Sequence, residues 1–431
     1  MRQIQEIGDV MLKVKYLIIG AGVSGLGFAN FIRDDNFLVL EKESEPGGYC
    51  RTIYKDGFIW DFAGHFFHFA NPELKEFFNL KINKEDVIYK KKITKIYYKG
   101  EYIDYPFQKN IHQLSKEEFI DCLYDLSIKE EKDRYLSFQD MLYGKFGKSI
   151  TEKFLKPYNE KLYACDLNDL DADAMGRFFP YANLKDVIQN MKLEEDNSYN
   201  QEFLYPKKGA ITFINALLEG LDPEKILLNQ EITQIDIDKK VAKTKDLEIQ
   251  YEYLVNSSPF DRLIEMIDKN EYSRNKTKYT YNKVLVLNLG FNKKSAIKNM
   301  HWVYVPDKET NFYRIGFYDN ILDSDRLSMY IEIGYRSNEE VNIDYQLNLT
   351  LKNLKRMGII DNHELVAYSS IVMIPAYIHI SEEGQRVKEN KKKELTQKNI
   401  YTIGRYGDWK YCSIEDSITD AINLAKVFNN K

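Results

Sequence analysis

A strand-like run ending in Gly-x-Gly-x-x-Gly, a long helical middle and a late block of alternating strands predict an α/β fold in three parts. The first and last portions form one nucleotide-binding unit, and the other two parts are inserted into it. The expected division is 1–72, 201–265 and 395–431 for the nucleotide-binding domain, 73–200 for a helical domain, and 266–394 for an antiparallel sheet.

The first element is "KYLIIGAGVSGLGFANFIRDDNFLVLEKESEPGG". Tyr16–Ile19 is an apolar strand entering Gly20-x-Gly22-x-x-Gly25. Leu26, Ala29 and Phe31 continue near helical spacing, and "FLVLE" is a second strand with Glu41 at its tip. In such a βαβ start the glycines let the backbone approach a pyrophosphate, and the helix N-terminus offers free N–H groups. The acid accepts ribose hydroxyls. The next loop, "EKESEPGGYCRT", selects FAD over NAD. Nicotinamide dehydrogenases do not need Gly47-Gly48 and then Arg51-Thr52 just past the ribose acid, whereas large FAD proteins pass the isoalloxazine end over such a loop. The predicted fold is therefore α/β: a Rossmann-like FAD-binding domain with an inserted helical domain and an antiparallel β-sheet substrate domain. "GFIWDFAGHFFHF" follows, aromatic-rich, with His65 in a Gly-His step.

From about Pro72 to Asn200 the pattern is helical. Ser149-x-x-Glu152 reads as a capping box opening a short helix that stops near Pro157. From Tyr281 to Met373, "NKVLVLNLGF", "HWVYVPD", "NFYRIGFY" and "LSMYIEIGY" alternate as antiparallel strands. "PDKETN" is a hairpin turn that sets Tyr304 opposite Arg314. "EEGQRVKENKKKELTQKN" reads as a solvated connector. "NIYTIGRYGDWKY" and "DSITDAINLAKVF" are a closing strand and helix, the helix starting near Ser413.

Composition narrows the function classes. With 44% hydrophobic and 29% charged residues the chain is expected to fold, and a net charge of -5 gives no reason for a nucleic-acid partner. The four cysteines (Cys50, Cys122, Cys165, Cys412) form no C-x-x-C pair, so neither a disulfide framework nor a metal site is expected and a reducing cytoplasm fits. The apolar run Tyr16 to Ile32 is glycine-rich and shorter than the ~20 residues of a membrane span, so no membrane insertion is expected.

Several distant segments occur in one order: "YPFQKN", "FLKPYNEKLYA", "MGRFFP", "FLYPKKGA", "NFYRIG" and "GRYGDWKY". With the dinucleotide fingerprint and "AGHFF" they resemble the UDP-galactopyranose mutases, from about residue 15 to 425. The resemblance implies contraction of a nucleotide-linked pyranose to its furanose, UDP-galactose by default, without net redox change. It implies FAD active in the reduced state, with flavin N5 bonded transiently to the sugar and NAD(P)H or another donor as reductant. It also implies a UDP-sugar or other nucleotide-sugar substrate, leaves room for a homo-oligomer, and suggests a role in supplying galactofuranose to polysaccharide biosynthesis.

The same resemblance distributes roles. Arg177 and Arg314 are diphosphate clamps, with His65 beside the flavin, and these three are the candidate catalytic residues. Tyr304, Tyr377 and Tyr411 bond phosphate oxygens. Tyr105 and Gln108 face uracil, Phe154, Tyr158 and Asn159 enclose the uridine, and Tyr163 is an aromatic wall of the substrate site on the side of the sugar or the flavin. Cofactor contacts are Gly20, Gly22, Val23, Ser24, Gly25, Glu41, Lys42, Gly47, Gly48, Arg51, His65, Ile232, Gly404, Arg405, Glu415 and Ser417, with Gly404 leaving room for the flavin. On the residues alone, each clamp arginine reads first as half of a structural salt bridge, and His65 as a core histidine.

The chain departs from the family at Tyr163, where relatives carry tryptophan, and at Ala63-Gly64-His65 in place of Gly-Gly-His. Glu415 and Ser413 differ too. These positions bear on sugar identity, so UDP-N-acetylgalactosamine or dTDP-fucose are alternatives. An FAD oxidoreductase of the amine oxidase or protoporphyrinogen oxidase type is the alternative reaction.

Overall fold

The structure is a computed structural model that describes residues 11–192 and 202–430. The first ten residues of the expected nucleotide-binding domain, the 200/201 boundary and residue 431 lie outside the described residues.

Leu12–Ile19 runs near the centre of a seven-stranded sheet. It pairs in parallel with Phe37–Leu40 on one side and Glu248–Asn256 on the other. Ile226–Leu227 and Ile400–Thr402 extend the parallel set, and Gln234–Asp236 with Val241–Lys243 adds an antiparallel edge. Strands covered on both faces must be apolar throughout, and Phe37–Leu40 is buried at every position. The helix Val23–Phe31 and the C-terminal helix Ile414–Asn429 share the core on one face of this sheet.

A second seven-stranded sheet runs in the order Leu365–Met373, Asn282–Phe291, Ser328–Arg336, Arg314–Phe317, Trp302–Tyr304, Thr94–Tyr98, Glu101–Asp104. Its neighbours are antiparallel except Trp302–Tyr304 with Thr94–Tyr98. The last two strands come from the stretch expected to be helical. "VIYKKKITKIYYKGEYIDY" carries β-branched and aromatic residues with a tight turn at Lys99-Gly100, both at positive φ. Its first strand, Val87–Lys91, pairs with Glu202–Pro206.

Two further expectations are corrected. The Ser149–Glu152 capping box does not form, although a helical segment begins close to it. Ser137 caps the preceding segment, accepting the Asp140 N–H at 3.1 Å; that segment breaks at Gly147 (φ 72, ψ 178), after which the chain re-enters helix and runs through a π-helical turn, Thr151–Leu155, into Lys156–Tyr163. The Ser149 hydroxyl donates to Asp125 at 2.6 Å instead. Pro157 comes just after the π-helical turn, whose wider i→i−5 bonding carries the chain past the missing N–H, so the chain stays helical. Likewise the charged "connector" is a 16-residue helix, Glu382–Gln397, capped by Ser381. Among its charges Val387 and Leu395 pack on the core that holds Trp409. Among the described residues no helix is long and apolar enough to cross a membrane.

Helix Lys156–Tyr163 lies directly on strand Ser328–Arg336. A Cβ at Gly334 would stand 2.1 Å from the Lys161 carbonyl oxygen, so glycine there permits the contact. This places Tyr158 and Asn159 over the strand that carries Glu332.

Candidate active site

The glycine turn packs closely enough for a dinucleotide. A Cβ on Gly25 would lie 1.9 Å from the Gly20 carbonyl oxygen, while the space beside Gly22 is open. Gly22 precedes helix Val23–Phe31 with no side-chain cap, so the first N–H groups face outward. Glu41 accepts the N–H of Ala21 at 2.8 Å and of Glu43 at 3.0 Å, which fixes the acid beside the turn. The Gly47–Gly48 loop is tied back by the Gly47 N–H on the Ala21 carbonyl, and Arg51 Nε donates to Gly48 O at 2.9 Å. Ile232 is buried beside Leu38 and Leu40. Lys42 is exposed and reaches Glu43 at 3.6 Å, so its side chain turns to solvent.

Beyond this cradle lies a cluster of tyrosines around two arginines. Tyr304 and Arg314 are direct partners in the hairpin register, as expected from "PDKETN". Arg314 is forked onto Glu332, Nη2 to Oε1 at 2.6 Å and Nε to Oε2 at 3.0 Å, and the Tyr313 hydroxyl donates to the same carboxylate at 2.6 Å. Arg405 lies over the Tyr411 ring at 4.7 Å and over Tyr377 at 5.2 Å, and those two rings stack at 6.2 Å. Burial pushes the Tyr411 hydroxyl up to about 12, and raises Tyr304 and Tyr377 as well, so all three are neutral donors. His65 sits within reach of both cations. Burial first, then Arg314 and Arg405, hold its imidazole down at about 4, and its buried Nδ1 has no partner.

An aromatic column leads away from Arg314. Tyr304 contacts Tyr105 and Tyr158, each at 5.2 Å; Tyr158 stacks on Phe154, and Phe154 on Phe107. Gln108 donates to the Pro180 carbonyl and Asn159 to that of Leu155, yet Gln108 Oε1 and Asn159 Oδ1 are buried without a donor. Two acceptors and the aromatic column suit a nucleobase edge and face. Tyr163 closes the column's flank against Tyr377 and His379, its hydroxyl also buried and unpartnered.

Residues 18–79 match the family model of the NAD(P)-binding Rossmann-like domain. A reduced UDP-galactopyranose mutase superposes with a TM-score of 0.91 at 23% identity, over 98% of this chain and 95% of that one. The fold is that of a UDP-galactopyranose mutase. A candidate protoporphyrinogen oxidase from Exiguobacterium sp. 255-15 scores 0.77 at 15% identity, covering 98% of this chain and 100% of its own. A putrescine oxidase redesigned in its cofactor binding scores 0.68 at 12%, again over 98% and 100%.

Four further expected contacts, Arg177, Gly404, Glu415 and Ser417, have close partners within the chain. Arg177 pairs with Asp416 at 2.6 Å in the first turn of the C-terminal helix. Together they line a cleft of about 400 Å³ with Phe178, Lys410 and Tyr411. Gly404 packs against Ser24, whose hydroxyl oxygen would be 2.0 Å from a Cβ there. Glu415 accepts the Asn71 N–H at 2.5 Å, and Ser417 donates to Ser413 O at 3.0 Å within its own helix. Glu332 was not foreseen. Its signal was a lone acid in "SMYIEIGY", on the strand face shared by Tyr330 and Gly334.

Proposed function

We propose that this protein is a flavin-dependent mutase that interconverts the pyranose and furanose forms of a nucleotide sugar, UDP-galactose by default. The observation that carries the reading is Arg405. Its Nε is enclosed and unpartnered, three tyrosine rings surround it, and among the described residues no carboxylate pairs with it. An enclosed cation of this kind is costly until an anion arrives. A nucleotide diphosphate is such an anion, whereas a protonated amine substrate would be repelled by Arg405, the charge of Arg314 being balanced by Glu332.

The cradle fits FAD. Gly20 to Gly25 and the first N–H groups of Val23–Phe31 would hold the pyrophosphate, and Glu41 the ribose. His65, with its orphaned Nδ1, would meet the ring system. When bound and reduced, the flavin supplies the nucleophile for the anomeric carbon. The chain's own residues do the positioning. Arg314, oriented by Glu332, and the neutral hydroxyls of Tyr304, Tyr377 and Tyr411 would hold the diphosphate in place through departure and return. The uridine would lie along Tyr105, Phe154 and Tyr158, with Gln108 and Asn159 accepting from the base. His65 stays neutral and offers a hydrogen bond, not a charge.

The test is direct: reduce the purified flavoprotein with dithionite, supply UDP-galactopyranose, and separate the products by chromatography. Furanose product is expected. No conversion of any nucleotide sugar, with flavin reduction by amines or porphyrinogens on turnover, would establish the oxidase alternative.

A further inference from the structure

The charged segment Glu382–Gln397 grips the loop that carries Arg405 and Tyr411. Gln385, Lys388 and Lys392 are spaced three and four residues apart and so share one helix face. All three reach the same two residues. Gln385 Nε2 donates to the Trp409 carbonyl at 3.3 Å, Lys388 Nζ to the Asp408 carbonyl at 3.2 Å, and Lys392 Nζ to the Asp408 carboxylate. Lys388 is 4% exposed, an unusual burial for a lysine, and its remaining bonds go to Gln385 at 2.6 Å and Glu389 at 3.1 Å.

The gripped turn is strained. Trp409 is at φ 49, a left-handed conformation that a bulky side chain seldom adopts, with its ring buried against Tyr279 and Tyr281. Around it the Asp408 N–H meets the Gly404 carbonyl and the Lys410 N–H meets that of Arg405, so the turn sets the path from Arg405 to Tyr411. Arg405 Nη1 closes the loop on the Cys412 carbonyl at 3.3 Å.

The geometry points to Lys388, with Lys392 and Gln385, as positioning residues that hold Arg405 and Tyr411 in their stacked arrangement. They act on the anion site without touching it. The inference rests on the proposed reading of that site as a diphosphate site.

The test compares the flavoprotein with its Lys388→Met, Lys388→Arg and Lys391→Met variants. Lys391 pairs with Glu271 and Glu394 instead of with Asp408 or Trp409, and serves as control. Lys388→Met is expected to keep its flavin and its near-neutral melting behaviour while UDP binding, measured by calorimetry, weakens about 10-fold, as small misplacements of a binding group do. Near-ultraviolet circular dichroism from the tyrosine and tryptophan cluster should change with it. Lys388→Arg should recover part of both signals, and Lys391→Met should move neither. Should Lys388→Met take up no flavin, Lys392→Met is read by the same two measurements. Unchanged UDP affinity and dichroism in both variants, or an equal loss in Lys391→Met, overturns the inference. If the parent protein binds no UDP, the reading of the site fails, and the dichroism alone decides whether this helix sets the loop.

Discussion

Arg314 and Glu332 face each other across adjacent strands and join through two hydrogen bonds, 2.6 and 3.0 Å long, with the Glu332 side chain 2% exposed. The pair is both scaffold and candidate clamp. Removing one member leaves the other charged and buried, so Glu332→Ala should cost roughly 3–5 kcal/mol in denaturant unfolding. Arg314→Ala should cost a similar amount, and should also weaken UDP binding at least 100-fold while the bound flavin keeps its spectrum. The double replacement Arg314→Met with Glu332→Leu separates the roles: stability should return and UDP binding should not. Recovery of both would make the pair purely structural.

Gly404 and Ser24 give a second prediction. Gly404 is at φ 77, and a Cβ would stand 2.0 Å from the Ser24 hydroxyl oxygen. Gly404→Ala should therefore displace the first turn of helix Val23–Phe31 and lower flavin content in the purified protein. Adding Ser24→Gly clears the overlap but leaves the left-handed backbone, about 1–2 kcal/mol for an L-residue. The double variant should recover flavin content yet remain less stable than the parent in a thermal melt.

Which features were legible follows from how far each signal reaches along the chain. The glycine turn, the hairpin facing Tyr304 with Arg314, and the Ser413 helix start are local, and spacing alone located them. The Thr94–Tyr98 and Glu101–Asp104 hairpin is local and carries its own signal in the β-branched and aromatic residues around Lys99-Gly100; what lay out of reach was its attachment to Trp302–Tyr304, two hundred residues on. The helix Glu382–Gln397 was hidden for another reason: its apolar residues are few, and its lysines spend their charge on Asp408 rather than on solvent. Glu332 and Asp416, the partners of Arg314 and Arg177, could be matched to them only once the strands and helices were placed.

His65 predicts a pH dependence. Its folded imidazole is held down at about 4 by burial and by Arg314 and Arg405, below the ordinary 6.5. Above pH 6.5 neither state binds the proton, and the group contributes nothing. As pH falls from 6.5 towards 4 the unfolded chain is protonated first, so stability is progressively lost. His65→Gln should flatten that part of the stability profile relative to the parent, compared by urea unfolding at pH 7 and pH 4.5. Because the imidazole stays neutral, turnover should show no His65 titration between pH 5.5 and 8. Equal pH profiles for the two proteins would mean that His65 titrates normally.

Arg177 and Asp416 give the last prediction. The ion pair is 2.6 Å long, but the Arg177 side chain is 56% exposed, so water screens it and its loss should cost under about 1 kcal/mol. Asp416 is held below the usual carboxylate range; burial opposes this, but its bonds with Ser413 and Arg177 prevail. In the shared cleft beside Tyr411 and Lys410, Asp416 holds the Arg177 guanidinium. If Arg177 is a clamp, the carboxylate competes with the ligand for it. Asp416→Asn removes the competing charge, keeps an oxygen for the Ser413 cap, and should tighten UDP binding several-fold in calorimetry. Arg177→Ala should loosen it, and both variants should melt close to the parent. Unaltered affinity in both would place Arg177 outside the substrate site and leave Arg314 and Arg405 as its cations.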